Sequence, residues 1–198
     1  MSNPIHKRLK KLTKPFHEEL ENCVFPQKLV NGKMTQGEYK DYLRVMHQFH
    51  KQTEPFFLEY SEWKDYGIDI HSRLRTQFLE EDLKNLGVSN LPDPKPGLTV
   101  KKPANFAESA GMLYVLEGST MGGMILSKKA NELFFDRLEG SCSRYFSAYR
   151  KETALKWQEY CSFLNHYHIS HPENEDDMVS GACTCFMTVK RFLDALSD

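Results

Sequence analysis

The chain has 198 residues, 40% of them hydrophobic, and its Lys+Arg 26 against Asp+Glu 27 leave a net charge of -1. That length can bury a sizeable core, and no Gly/Ser linker or low-complexity tract divides it, so one domain over residues 1–198 is expected. The charge balance offers no global attraction to nucleic acid or to an anionic membrane, and neither MSNPIHKRLKK nor RFLDALSD carries an apolar segment that would read as a signal or an anchor. A soluble protein of the cytoplasm is therefore expected. The cysteines (Cys23, Cys142, Cys161, Cys183 and Cys185) are odd in number, scattered and without a CxxC pair, which argues against a disulfide framework and against structural zinc.

The periodicity is helical almost throughout. Ile5, Leu9, Leu12, Phe16, Leu20 and Val24 recur at the spacing of one helix face, with Asn3-Pro4 as the start and Pro15 predicting a kink or break just before His17. Thr35-Gln-Gly-Glu38 is a capping box that opens a second helix, whose face carries Tyr39, Tyr42, Leu43, Met46, Phe49, Phe56, Phe57 and Tyr60. A third pattern runs from about His71 to Leu86 and ends at Gly87; Val88 to Pro103 then holds Pro92, Pro94, Pro96, Gly97 and Pro103 and reads as an irregular crossing. A long helix starts near Asn105-Phe-Ala-Glu108 and runs towards Phe135, and two more, roughly Glu152 to Tyr167 and Glu175 to Leu196, complete an all-α set without internal repeats.

Two stretches carry candidate chemistry. His17 lies on the first helix with Thr13 and Glu21 four residues to either side, so Glu21 can accept one imidazole N–H and leave the other nitrogen as a better metal donor. Lys10, seven residues earlier on the same side, can meet an anion. The plainer alternative is a half-exposed histidine on a solvated helix edge. In the long apolar helix, Gly118, Gly122 and Gly123 together forgo about 2.5–3 kcal/mol of helix propensity. They leave room either for close helix packing, for a cap by Ser119 or Thr120, or for a flat ligand against bare backbone. A flat, iron-bearing ligand such as haem needs both features: an axial nitrogen on one face, and on the other a helix close enough to cover the ring while leaving the sixth iron position open. No phosphate loop is present, since Gly118-Ser-Thr-Met-Gly-Gly lacks the GK[ST] ending and a preceding strand.

At these residues the chain resembles the haem oxygenases, and in particular their bacterial biliverdin-producing type. LKKLTKPFHEELENCVF (Leu9 to Phe25) is similar to the family's proximal helix, and LYVLEGSTMGG (Leu113 to Gly123) to its distal helix; Ala182-Cys-Thr-Cys-Phe186 resembles its last core helix. The resemblance implies an all-α, multi-helix bundle with haem, substrate and cofactor at once, held between proximal and distal helices. His17 would be the iron ligand. Lys10, Thr13, Glu21, Gly118, Gly122, Gly123 and Phe186 would line the cofactor, and Gly118, Ser119 and Gly122 would shape the reaction. The implied activity opens haem with O2 and electrons to biliverdin, carbon monoxide and ferrous iron. Ser119 stands where many members carry an Asp that organises the distal waters, and Gln158 and Ser162 stand where animal members carry a basic pair for the propionates. Lys7, Arg8, Lys10, Lys11 and Lys14, with Lys128 and Lys129, form a basic set suited to the propionates and to an acidic electron donor of the ferredoxin or flavodoxin type.

Other readings rest on less. His47, His50 and Glu54 share a helix, but no Glu-x-x-His motif marks a di-iron bundle, and His166, His168 and His171 form a polar His-rich turn. Cys161 or Cys183 as nucleophile would make a hydrolase of the thiaminase type on a similar helical fold, and a haem carrier or sensor would use His17 without consuming the ring.

Overall fold

The first amphipathic stretch divides at Thr13. Helix α1 (Ile5–Leu12) ends there, and α2 (Lys14–Glu21) begins with Pro15 in its first turn, where the missing N–H has no partner to lose. The kink predicted from Pro15 is thus a clean break, and the proline starts a helix instead of interrupting one. Asn3, the expected cap, lies outside the residues that the computed structural model describes, which are 4–91, 95–135 and 143–196; Pro4 occupies the cap position.

Helix α3 (Val24–Val30) follows directly, and α4 (Gln36–Leu58) opens on the expected capping box: the Glu38 N–H donates to Thr35 Oγ1 at 3.2 Å, and the Thr35 N–H donates to the Glu38 carboxylate at 2.8 Å. The short α5 (Glu62–Asp65) buries Trp63. The stretch read as one helix from His71 is a 3-10 turn, His71–Arg73, followed by α6 (Thr76–Asn85), and Gly87 ends it in the left-handed conformation at φ +81. The crossing that follows has no helix among its described residues. It is fastened by Gln48 and Gln52 of α4, whose amides donate to the Leu98 carbonyl at 3.2 and 3.0 Å.

Helix α7 (Phe106–Ala130), capped by Asn105, continues as a π turn over Asn131–Phe135, as far as the sequence pattern runs. Then come α8 (Arg144–Ser147), α9 (Thr153–Ser170) and α10 (Glu175–Asp194). Among the described residues the fold is all-α, with no strand, and the buried apolar side chains form one continuous cluster.

The centre of that cluster is the pair α7 and α10. Asn105 Nδ2 donates to Asp177 at 2.8 Å and Ser180 Oγ to Glu108 at 3.2 Å. A Cβ on Gly111 would fall 1.9 Å from the Met178 carbonyl oxygen, and one on Gly181 2.0 Å from that of Glu108. The two backbones touch because neither has a side chain in the way. Asn105 beside Asp177 and Glu108 beside Ser180 put the starts of α7 and α10 side by side. Phe186 on α10 and Tyr114 on α7, one turn ahead of Gly118, are both met from the start of α2.

Candidate functional site

Helix α2 lies across this pair at these two residues. Its two contacts show how. The His17 ring meets the Phe186 ring edge-on with centroids 6.0 Å apart, and Thr13, at the α1–α2 break, lies beside Tyr114, whose hydroxyl burial pushes up to about 12. Thr13 is itself buried and donates to the Leu9 carbonyl at 2.8 Å, so it serves the joint between the two helices. His17 is by contrast more than half exposed. Its Nδ1 lies 3.6 Å from Glu21 Oε1, beyond hydrogen-bond length but within a small side-chain rotation of it, and Nε2 has no hydrogen-bond partner among the described residues. Lys10 is exposed on the last turn of α1.

Across the site, α7 changes character at Gly118. From Phe106 to Val115 every residue but Glu108 is buried, whereas Ser119, Met121, Gly122, Met124 and Ile125 are exposed, Met124 by 56% and Ile125 by 65%. The three candidate glycines separate here. A Cβ on Gly122 would meet nothing within 4 Å, and one on Gly118 would rest at 3.6 Å from the Trp157 ring of α9 in ordinary contact. One on Gly123 would fall 2.7 Å from the Phe146 carbonyl oxygen, so Gly123 is the place where α8 approaches α7 from behind. Gly118 and Gly122 present backbone; Gly123 packs.

Ser119 Oγ donates back to the Leu116 carbonyl at 2.7 Å and Thr120 Oγ1 to that of Glu117 at 2.6 Å. Two such bonds in succession compete with the helix ladder and loosen α7 at the glycines. The set of donors and surfaces fits haem: an imidazole with a free Nε2, an aromatic ring behind it, a patch of bare backbone, and exposed Met and Ile side chains to cover an apolar ring.

Several neighbours of this site had no sequence signal. Glu117, next to Gly118, is 1% exposed and accepts from Arg73, from Arg75 at 3.5 Å and from the Tyr149 hydroxyl at 2.5 Å. A charged residue inside an apolar run was the one available hint. Trp157 packs between Gly118 and Tyr114, with 5.6 Å between the Tyr114 and Trp157 rings.

The rival readings lose their chemistry. Burial pushes the Cys161 thiol up to about 11 and raises that of Cys183, the reverse of what a nucleophilic cysteine needs. The expected 166–171 turn is the end of α9, with His166 and His168 inside the helix and His171 capping it, and the three point apart: His166 packs edge-on against Tyr66, His168 Nε2 lies 3.4 Å from Glu175 and His171 Nδ1 3.5 Å from Glu173. Among the described residues no group of His, Cys, Asp and Glu is arranged to hold a metal ion by itself, and no helix is long and apolar enough to cross a membrane.

Comparison with known proteins places the chain by family and fold. The chain is 27% identical over 190 residues to heme oxygenase PigA of Pseudomonas aeruginosa, an alignment that covers 96% of this chain and 89% of that one. Its fold superposes on the heme oxygenase of Neisseria meningitidis, studied with NO and CO bound, at a TM-score of 0.79 with 23% identity, covering 98% and 92% of the two chains. The heme oxygenase of Leptospira interrogans gives 0.76 at 16% identity, covering 98% and 100%. The family model for heme oxygenase matches residues 3–195, nearly the whole chain, and the chain belongs to the haem oxygenase family.

Proposed function

We propose that this haem oxygenase holds haem between α2 and α7, with His17 Nε2 on the iron, and opens the ring to biliverdin, carbon monoxide and ferrous iron. The observation that carries the assignment is the exposed His17, backed by Phe186, at the level where α7 turns from a buried helix into open glycine backbone. Bound haem supplies the activation of O2 and, as substrate, the meso carbon that is attacked.

The chain's own residues do the rest. A small rotation would let Glu21 accept the His17 Nδ1–H, which would orient the ring and direct Nε2 to the iron. Phe186 holds the imidazole plane from behind. Gly118 and Gly122 would keep side chains out of the space over the ring, and Met121, Met124 and Ile125 would displace water from its edge. Ser119 exposes an oxygen that can accept a hydrogen bond from water, its own proton being held by the Leu116 carbonyl.

The electrons come from outside. Lys7, Lys10 and Lys11 are exposed and, among the described residues, make no ion pair, whereas Arg8 binds Glu175 and Lys14 lies 3.4 Å from Glu18. These three lysines, on the helix that precedes that of His17, suit the propionates and an acidic donor such as a ferredoxin or flavodoxin. The decisive test is turnover of the hemin-loaded protein with reductant in air: loss of the Soret band with release of a bilin is expected, and a Soret band that persists would make the protein a carrier. His17→Ala should lose the native ferric spectrum and regain it with added imidazole. For the donor, reduction by ferredoxin should slow steeply with salt; a rate indifferent to ionic strength would remove the lysines from that role.

A further inference from the structure

The feature that the reaction as described does not use is the buried cluster directly behind Gly118. Glu117 takes hydrogen bonds from three groups on two other segments: Arg73, Arg75 and the Tyr149 hydroxyl. Arg73 also reaches Glu159 on α9 at 3.2 Å and lies 5.4 Å over the Tyr160 ring, while Arg75 lies 4.2 Å over the Tyr149 ring. Both guanidiniums are buried. Tyr149 is delivered by a turn in which Arg150 adopts φ +52, a left-handed conformation that side chains rarely take and that surrounding structure must hold in place.

Stability does not explain this arrangement. A buried ion cluster is at best about neutral against apolar side chains of the same volume, because each charge gives up its hydration. What a cluster of directed bonds supplies is orientation. The apolar residues of α7 are spread around its whole circumference, so the hydrophobic effect marks no single inward face. Gly111 and Gly123 set how near α7 comes to α10 and α8, and the cluster stands between them, bonded to the residue that precedes Gly118.

We propose that Glu117 is a positioning residue of the haem oxygenase reaction: held by Arg73, Arg75 and Tyr149, it fixes the rotation of α7 about its own axis so that Gly118 and Gly122 face the ring. This rests on the distal assignment above. The required tolerance is small. A backbone atom on a helix of radius about 2.3 Å moves about 1 Å for a rotation of roughly 25°, and a misplacement of that size can cost about 10²-fold in rate. It also brings Ser119 or Met121 towards the ring in place of glycine.

The test compares Glu117→Gln and Tyr149→Phe with Gly122→Leu in the hemin-loaded protein. Glu117→Gln is expected to keep its helical circular dichroism and its His17-bound Soret band. It should nevertheless move the acid–alkaline midpoint of the ferric complex by about half a pH unit or more and spread the bilin product over several meso isomers. Tyr149→Phe, which removes one donor and leaves the ion pairs, should do the same to a smaller degree and carries the test if Glu117→Gln does not fold. An unchanged midpoint and an unchanged isomer pattern in the folded variants would overturn the proposal while Gly122→Leu still alters both. If Gly122→Leu alters neither, it is the distal assignment that fails, and this inference with it.

Discussion

The two halves of α7 use glycine in opposite ways. In the first half Gly111 is pressed so closely against α10 that a single methyl group would overlap the Met178 carbonyl; in the second, Gly122 has nothing within 4 Å. Both positions give up the same helix propensity, roughly 0.8–1 kcal/mol relative to Ala. At Gly111 the return is a backbone contact at the centre of the fold. At Gly122 no neighbour among the described residues accounts for it, and under the proposed function a ligand would. Glycines that look alike in sequence therefore divide into those whose space is filled by the protein and those whose space is open, which the proposed function gives to haem, and substitution separates them.

The largest effect should come from filling the first kind. Gly111→Ala places a Cβ 1.9 Å from a backbone oxygen that belongs to another helix and has no rotamer to escape by. Separation of α7 from α10 should cost more than about 3 kcal/mol, at or above the usual range for overpacking, and the expected result is a chain that unfolds at markedly lower denaturant or is not recovered folded. A Gly111→Ala protein with unchanged thermal unfolding would mean that the two helices are not in contact there.

The second half of α7 is supported from behind by α8, and a pH measurement probes that support. The buried Asp82 accepts from the Arg144 and Tyr145 backbone N–H groups at 2.7 and 3.0 Å, at the start of α8. Burial is the stronger influence and pushes its carboxyl up to about 6 from 3.8. The folded protein then holds a proton that the unfolded chain has released between about pH 4 and 6. Stability from this group is complete below the unfolded value and is lost as pH rises through about 6, by on the order of 2–3 kcal/mol. Asp82→Asn keeps an acceptor for one N–H and should flatten this part of the stability profile. A wild-type profile that rises across the same interval would refute the raised carboxyl.

Filling the second kind of glycine should leave the fold alone. Gly122→Leu meets open space and gains helix propensity, so thermal stability should stay the same or increase, whereas bilin formation should fall by about 10²-fold, with reducing equivalents diverted to peroxide. If bilin appears at the normal rate, Gly122 does not face the ring.

This contrast also shows where sequence reasoning stopped. The helix starts at Thr35 and Asn105 and the stop at Gly87 were legible because caps and a positive φ are local chemistry, written within four residues. The approach of Glu21 to His17, one helical turn away, was legible for the same reason. Gly111 and Gly181 were not, because a close approach between residues seventy apart leaves no mark in either segment. Glu117 was hidden differently: its partners Arg73, Arg75 and Tyr149 read as ordinary surface charge and a stray aromatic until folding buries them together. The short helices α5 and α8 are a single turn each, below the length at which periodicity is visible.

The smallest expected effect concerns Ser119, where this chain departs from relatives of the Asp-bearing kind. The side chain is exposed beside Gly118 and Gly122, which puts it in the right place to touch distal water, but its proton is already donated to the Leu116 carbonyl at 2.7 Å. It can therefore accept from a water and cannot readily donate to one. Removing an acceptor of that kind weakens one hydrogen bond, worth about 0.5–1.5 kcal/mol, or roughly two- to tenfold in rate if the bond is made in the transition state alone. Ser119→Ala also deletes the bond that competes with the helix ladder, so α7 should be slightly more stable in the variant. Single-turnover bilin formation in Ser119→Ala should accordingly slow by no more than about tenfold, with the Soret band and haem affinity unchanged. Complete loss of bilin with haem still bound would show that the hydroxyl turns from Leu116 to donate its proton during turnover, and that the open half of α7 relies on a side chain as well as on bare backbone.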